Sequence, residues 1–267
     1  LYESFGTPEF DELYCRYELD ESIPRTTINA QELILELLKE RAETGRIYIM
    51  NIDHCNSHSS FLDKVEMSNL CQEITLPTKP IQHIDDSAGE IALCILSAIN
   101  IGKIRGVDDL EELCDLSVRS LDELIDFQGY PVQAAEVATR ARRSLGVGYI
   151  GLAHYLAKNG VKYEDPEAWK LVHSLTEAFQ YNLLKASVNL AKEKGACEYS
   201  DRTKYAQGIL PIDTYKKDVD ELVPNDLSCD WESLRAELLE HGIRNSTLSA
   251  QMPSESSSVV SNATNGI

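Results

Sequence analysis

The segment Met67-Ser-Asn-Leu-Cys-Gln-Glu-Ile74 concentrates the residue types best suited to chemistry. If it is extended, the two-residue side-chain period puts Asn69, Cys71 and Glu73 on one face, with Leu70, Gln72 and Ile74 on the other. A thiol can serve as a nucleophile or as a one-electron hydrogen-atom abstractor. A carboxylate can take a proton, and an amide can hold a substrate hydroxyl. The same alternation fits a half-buried strand whose wet face is incidentally polar. Cys94 lies in an apolar run, where a lone cysteine ordinarily acts as a small hydrophobe; chemistry there requires a second thiol nearby in space. The segment Met252-Pro-Ser-Glu-Ser-Ser-Ser258 packs four hydroxyls around one acid. If it opens a helix, unpaired backbone N–H groups and the macrodipole can hold phosphate oxygens without any Lys or Arg. Glu255 opposes that use unless it is neutralised or turned away, and a solvated polar turn is the alternative.

Two patterns invite a different chemistry and do not sustain it. Gly146-Val-Gly-Tyr-Ile-Gly151 satisfies G-x-G-x-x-G, yet it follows the helical, basic stretch Ala134 to Ser144, and no acid closes a second strand about 20 residues on. His54, Cys55 and His58 lie close together, but no fourth ligand stands at matching spacing, so no metal site is predicted. Cys71 as a hydrolase nucleophile would need a histidine base, and none of the six histidines is marked for that role by its setting.

The elements that must position these residues follow from periodicity. Pro8 to Leu19 and Ala30 to Thr44 carry apolar residues at helical spacing, and Gly45 stops the second. Arg46 to Ile52 is rich in β-branched and aromatic residues and predicts a strand, followed by a polar loop over 53–60. Ser68 to Leu76 predicts a second extended stretch. Glu90 to Ile101 is nearly all apolar and is read as a buried strand. Val107 to Phe127 predicts an amphipathic helix closed by Gly129 and Pro131. Asp165-Pro166 opens a long helix that ends at Gly195. Trp231 to Glu240 predicts a further helix, and Thr247 to Met252 an extended segment. Strands alternating with helices imply an α/β architecture.

The chain has 267 residues, with 25 Lys+Arg against 44 Asp+Glu and a net charge of −19. That acidity, with no basic cluster larger than Arg140, Arg142 and Arg143, argues against a nucleic-acid partner. The apolar runs fall far short of the ~20 residues a bilayer span needs, so no membrane association is predicted. Seven cysteines, odd in number, widely spaced and without C-x-x-C, argue against a disulfide framework and for a reducing, cytoplasmic compartment. The N-x-T triplets at Asn245 and Asn262 are then read as chance. A chain that opens at Leu1 and stops at Ile267 reads as a segment of something longer.

Several stretches together resemble the large (α) subunit of aerobic class I ribonucleoside-diphosphate reductases of the bacterial and phage type. They include Gly45-Arg-Ile-Tyr-Ile with Asp53-His-Cys-Asn, Ser68-Asn-Leu-Cys-Gln-Glu-Ile-Thr-Leu-Pro-Thr-Lys-Pro80 and Gly89-Glu-Ile-Ala-Leu-Cys94. The likeness continues through Gly208-Ile-Leu-Pro-Ile-Asp-Thr-Tyr-Lys-Lys217, Arg244-Asn-Ser-Thr-Leu-Ser-Ala250, Met252-Pro-Ser-Glu-Ser-Ser-Ser258 and Ser261-Asn-Ala-Thr-Asn-Gly-Ile267. It covers essentially the whole chain.

The resemblance implies that residues 1–267 are one fragment of a ten-stranded α/β barrel whose finger loop carries the radical cysteine. It implies that Cys71 becomes a thiyl radical that takes the 3′ hydrogen atom of the ribose. Glu73 would take the 3′-hydroxyl proton, and Asn69 would hydrogen-bond the substrate. Cys94 would be one of the two thiols that reduce the 2′ position, its partner lying upstream of Leu1. Pro253, Ser254, Glu255, Ser256 and Ser257 match the loop that binds the diphosphate; Ser256 stands where bacterial relatives often carry threonine and keeps the hydroxyl. Implied partners are a ribonucleoside diphosphate, a metal-containing small (β) subunit that supplies the radical, thioredoxin or glutaredoxin as reductant, and a second large subunit. No cofactor is expected on these residues, and ATP and deoxynucleotide effectors would bind elsewhere in the subunit. A fragment that binds substrate without turning it over is the rival reading.

Overall fold

The computed structural model describes residues 1–223 and 226–267, in two compact units, Leu1–Ser57 and His58–Ile267. In the first unit, α1 spans Glu9–Leu19 and α2 spans Ala30–Thr44, the latter with the bounds its periodicity predicts. The Asn29 side chain caps α2 by accepting from the backbone N–H groups of Gln31 and Glu32, and Gly45 ends it in the left-handed region at φ +66°. Neither helix has a buried residue.

The expected strand over Arg46–Ile52 does not form. Residues 46–51 have no regular structure, and α3, Ile52–His58, occupies the predicted polar loop. β-propensity expresses packing against neighbouring strands, and Arg46–Met50 find none, with Tyr48 and Ile49 exposed. Asp53 in the first turn and His58 in the last suit the helix dipole.

The second unit is α/β. Strand β1, Ile95–Asn100, is shorter than the apolar run that predicts it. After it come α4 (Asp109–Phe127) and α5 (Gln133–Arg142), which return the chain to β2 (Leu145–Ile150). The strands pair in parallel, Ile95 opposite Leu145 and Asn100 opposite Ile150. Helices α6 (Leu152–Lys158), α7 (Pro166–Lys194), α8 (Pro211–Thr214) and α9 (Trp231–His241) come next in the chain. The predicted extended segment then lies along β2: Leu145 and Val147 N–H donate to the carbonyls of Thr247 and Leu248, and Ala250 N–H donates to Val147. A short helix, α10 (Glu255–Ser261), comes last. No described helix is long and apolar enough to cross a membrane.

Helix α4 buries Leu110, Cys114, Val118, Leu121 and Ile125, a stripe at spacings of three and four, against α7, whose Leu175, Phe179, Leu183 and Leu190 face the same core. Full burial of each such side chain is worth about 1.5–3 kcal/mol. Amid this apolar stripe sits Asp122, also fully buried. It accepts from Arg143 Nε at 2.6 Å, from Arg244 Nε at 3.2 Å and from Asn245 Nδ2 at 3.1 Å. Arg143 ends α5 in the left-handed region at φ +46°, and Asn245 also donates to the Arg143 carbonyl and accepts from Ser187. One carboxylate thus joins α4, the residues leading into β2 and those leading into the 247–250 segment. The same bonds close Asn245, wholly buried, to glycan attachment.

Asp122→Ala leaves two guanidinium groups without their buried counter-charge. We expect a loss of about 3 kcal/mol, read as a lower denaturant midpoint at unchanged slope; a midpoint equal to that of the unsubstituted chain would show the knot to be dispensable.

Candidate active site

Residues 67–74 are not an extended strand. Gln72 N–H donates to the Asn69 carbonyl at 3.2 Å, and Asn69 N–H donates to Ile74 O at 3.3 Å. The Asn69 side-chain oxygen accepts from Ile74 N–H at 3.0 Å. The asparagine side chain takes the place of a ladder partner and closes the chain into a turn. Gln72 sits at φ +61°, rare for a non-glycine residue. Period-two alignment is therefore lost: Cys71 stands exposed on the turn, while Glu73 is half-buried at its foot.

The turn is tied to Cys94 through the chain on either side. Lys79 and Glu90 exchange both backbone hydrogen bonds, at 3.0 and 3.1 Å, and Lys79 Nζ lies 2.8 Å from the Glu90 carboxylate. Glu90 is almost fully buried and also accepts from Arg142 Nε at 2.8 Å. Burial works against its charge, but the hydrogen bonds from Arg142 and Lys79 win and hold its carboxyl below the usual glutamate range. This stabilisation is present above the ordinary glutamate value and fades as the pH falls through the lowered one.

Cys94 immediately precedes β1, and its sulfur lies over Gly146 of β2: a Cβ on Gly146 would stand 2.8 Å from Cys94 Sγ and 2.9 Å from Ala250 Cβ. A Cβ on Gly148 would come within 2.4 Å of the Ala250 carbonyl oxygen and 3.0 Å of Met252 Sδ. The two glycines of the G-x-G pattern therefore sit inside a strand and let a thiol and a neighbouring backbone approach it; they form no phosphate loop. Burial, and then the charge of Glu73, push the Cys94 thiol up to about 12. Cys94 is thus a neutral thiol at physiological pH. Glu73 keeps one oxygen, Oε2, shielded from solvent without a hydrogen-bond partner among the described residues. An unpaired carboxylate oxygen near a neutral thiol is costly unless a bound group donates to it.

The serine-rich segment does open a helix. Ser254 is buried at the N-cap position, its hydroxyl donating to the Met252 carbonyl, and Glu255, Ser256 and Ser257 are exposed in the first turn of α10. Ser257 and Ser258 hydroxyls donate back to the carbonyls of Ser254 and Glu255. Pro253 is exposed beside them. The structure therefore brings Glu73 within electrostatic reach of Cys94, and places Cys94 over Gly146, which Ala250, on the segment that leads into α10, also approaches. All seven cysteines are free thiols, so no disulfide joins Cys71 to Cys94. Among the described residues no group of three or more His, Cys, Asp or Glu is arranged to hold a metal. The roles of Gly146, Gly148 and the Lys79–Glu90 clasp have no signal in the residues alone: the glycine spacing is visible there, but its meaning lies in the packing.

Compared with known proteins, the whole chain, residues 1–267, matches the family described as ribonucleotide reductase, barrel domain. It is 61% identical to the ribonucleoside-diphosphate reductase subunit alpha of Haemophilus influenzae, over 100% of this chain and 36% of that protein. It is 55% identical to the ribonucleoside-diphosphate reductase 1 subunit alpha of Escherichia coli, again over 100% and 36%. Against the subunit alpha of phage T4 the identity is 47%, over 100% and 35%. The chain spans about a third of the length of the curated relatives it matches.

Thiol labelling reads this geometry directly. At pH 8 exposed Cys71 is expected to react with iodoacetamide at least roughly tenfold faster than Cys94, followed by mass spectrometry of the labelled peptides. Equal rates would contradict the half-buried, neutral Cys94.

Proposed function

Because this chain belongs to the ribonucleotide reductase barrel-domain family, we propose that residues 1–267 are one piece of a catalytic barrel that reduces ribonucleoside diphosphates to 2′-deoxyribonucleoside diphosphates. The observation that supports the reading is that Glu73, with a shielded oxygen left without a hydrogen-bond partner among the described residues, acts electrostatically on Cys94, a thiol that burial and this charge keep neutral.

A metal-containing small subunit supplies the radical. Cys71, on the turn that serves as the finger loop, then takes a hydrogen atom from C3′ of the ribose, forming S–H as C3′–H breaks. Glu73 Oε2 accepts the 3′-hydroxyl proton, which satisfies its missing hydrogen bond. The Asn69 side-chain oxygen is held by Ile74 N–H, and its amino group is left to the substrate. Cys94 and a second thiol outside this chain provide two electrons and two protons. The 2′-hydroxyl leaves as water, the thiols end as a disulfide, Glu73 returns its proton to the 3′ oxygen, and Cys71 returns its hydrogen atom to C3′. A neutral thiol suits this role, since it must give a proton at the 2′ oxygen. Residues 253–257 take the diphosphate through hydroxyls and free first-turn N–H groups, with no cationic side chain needed.

The remaining partners are a second copy of the large subunit and thioredoxin or glutaredoxin, which reduces the disulfide. Nucleotide effectors bind in parts of the subunit beyond these residues. The compartment is the reducing cytoplasm, in keeping with seven free thiols.

In the complete large subunit assayed with its small subunit, Cys71→Ser is expected to abolish turnover while diphosphate binding stays within about threefold. Glu73→Gln should lower kcat by about 10²-fold or more, as for loss of a general base. Turnover retained by Cys71→Ser would sink the proposal.

A further inference from the structure

Helix α10 has little to hold it in place. It is seven residues long, Ser258 is its one buried residue, and Val259 and Val260 are exposed at 79% and 88%. Apolar packing within the helix is therefore slight, and its start is held from upstream by the buried Met252 and Ser254. Its far end is well defined: Asn262, at φ +49°, and Ala263 donate back to Val259 and Ser258, at 3.2 and 2.9 Å, closing a Schellman-type cap. Two bonds from the ends of the strands then grip this cap. Asn100 Nδ2, at the end of β1, donates to the Ser261 carbonyl at 3.3 Å. Gly151 N–H, just past β2, donates to the Thr264 carbonyl at 2.9 Å.

Asn100 and Gly151 also depend on each other. The Asn100 side-chain oxygen is shielded from solvent and without a partner among the described residues. Gly151 sits at φ +85°, and a Cβ there would stand 2.8 Å from that oxygen. Glycine thus leaves the space in which the carboxamide turns its amino group to Ser261. Counting from Cys94 in steps of two along β1 reaches Asn100, so one strand has the redox thiol before its start and the clamp at its end, on the same face.

We propose that Asn100 is a positioning residue that sets the location of the first turn of α10 and, through it, the affinity for the substrate's diphosphate. The inference rests on the reading of residues 253–257 as the diphosphate site. A rigid helix transmits a displacement at Ser261 to Ser254–Ser257 less than two turns away, and phosphate affinity depends on donors held at hydrogen-bond distance.

The test uses the complete large subunit with its small subunit. Asn100→Asp keeps the shape but turns an acceptor to the Ser261 carbonyl; Gly151→Ala displaces the same side chain without altering it. Both are expected to raise the KM for a ribonucleoside diphosphate about tenfold and to leave kcat within about twofold, the split expected when a ground-state binding interaction is lost. A KM unchanged in both variants, or a fall in kcat at unchanged KM, overturns the proposal. If one variant does not fold, the other decides; if neither folds, Asn100 serves the stability of the barrel and the proposal fails. Ser256→Ala and Ser257→Ala separate the two levels. A raised KM for these with an unchanged KM for Asn100→Asp rejects the role of Asn100 alone, whereas an unchanged KM in all four rejects the diphosphate site.

Discussion

A single carboxylate buried among apolar side chains organises the larger unit. Asp122 is fully buried, and its charge is tolerable because Arg143, Arg244 and Asn245 converge on it. Those partners come from two distant stretches of the chain, one just before β2 and one just before the segment over 247–250. Satisfying Asp122 therefore forces these stretches side by side, and the parallel bonds from Leu145 and Val147 to Thr247 and Leu248 result from that placement. The apolar stripe of α4 supplies the driving force; the polar knot sets the register.

Close approach then shapes the site. Once β2 and the 247–250 segment are adjacent, any side chain at position 148 would collide with a backbone oxygen, and any at 146 with the Cys94 sulfur and Ala250. Glycine at both positions lets the thiol sink against the sheet. Burial has a chemical effect there: it keeps Cys94 protonated, and the nearby charge of Glu73 adds to that effect. The reverse influence is equally informative. Glu73 keeps a shielded oxygen without a hydrogen-bond partner among the described residues, and a buried acceptor in that state calls for a donor from outside them.

The site unites regular and irregular backbone. Cys94 and Asn100 belong to the line of a strand, whereas Asn69, Cys71 and Glu73 belong to a turn closed by the Asn69 side chain. A turn can present a reactive sulfur at its tip, which a strand locked in a ladder cannot do as freely. The clasp between Lys79 and Glu90 ties this turn to the residues that lead through Cys94 into β1, and Arg142 secures the clasp from α5.

Helices with a strong apolar period or a marked cap were legible in the residues: α2 from Asn29 to Gly45, α4 from its stripe, α7 from Asp165-Pro166 and Gly195. Their bounds depend on local bonds and on one face meeting any apolar surface. The residues proposed as reactive groups, Cys71, Glu73, Cys94 and the serines after Pro253, can be singled out from the residues alone, since residue type and motif are properties of sequence. The β-rich residues 46–51 did not become a strand because a strand exists only with a neighbour to receive its N–H and C=O groups. The alternation at 67–74 misled for a related reason, because Asn69 offers its own backbone a nearer hydrogen-bond partner than any strand. The approach of Glu73 to Cys94, the use of Gly146 and Gly148, and the grip of Asn100 on α10 all join residues far apart in the chain. Packing alone decides such contacts, and no local pattern of residues encodes them.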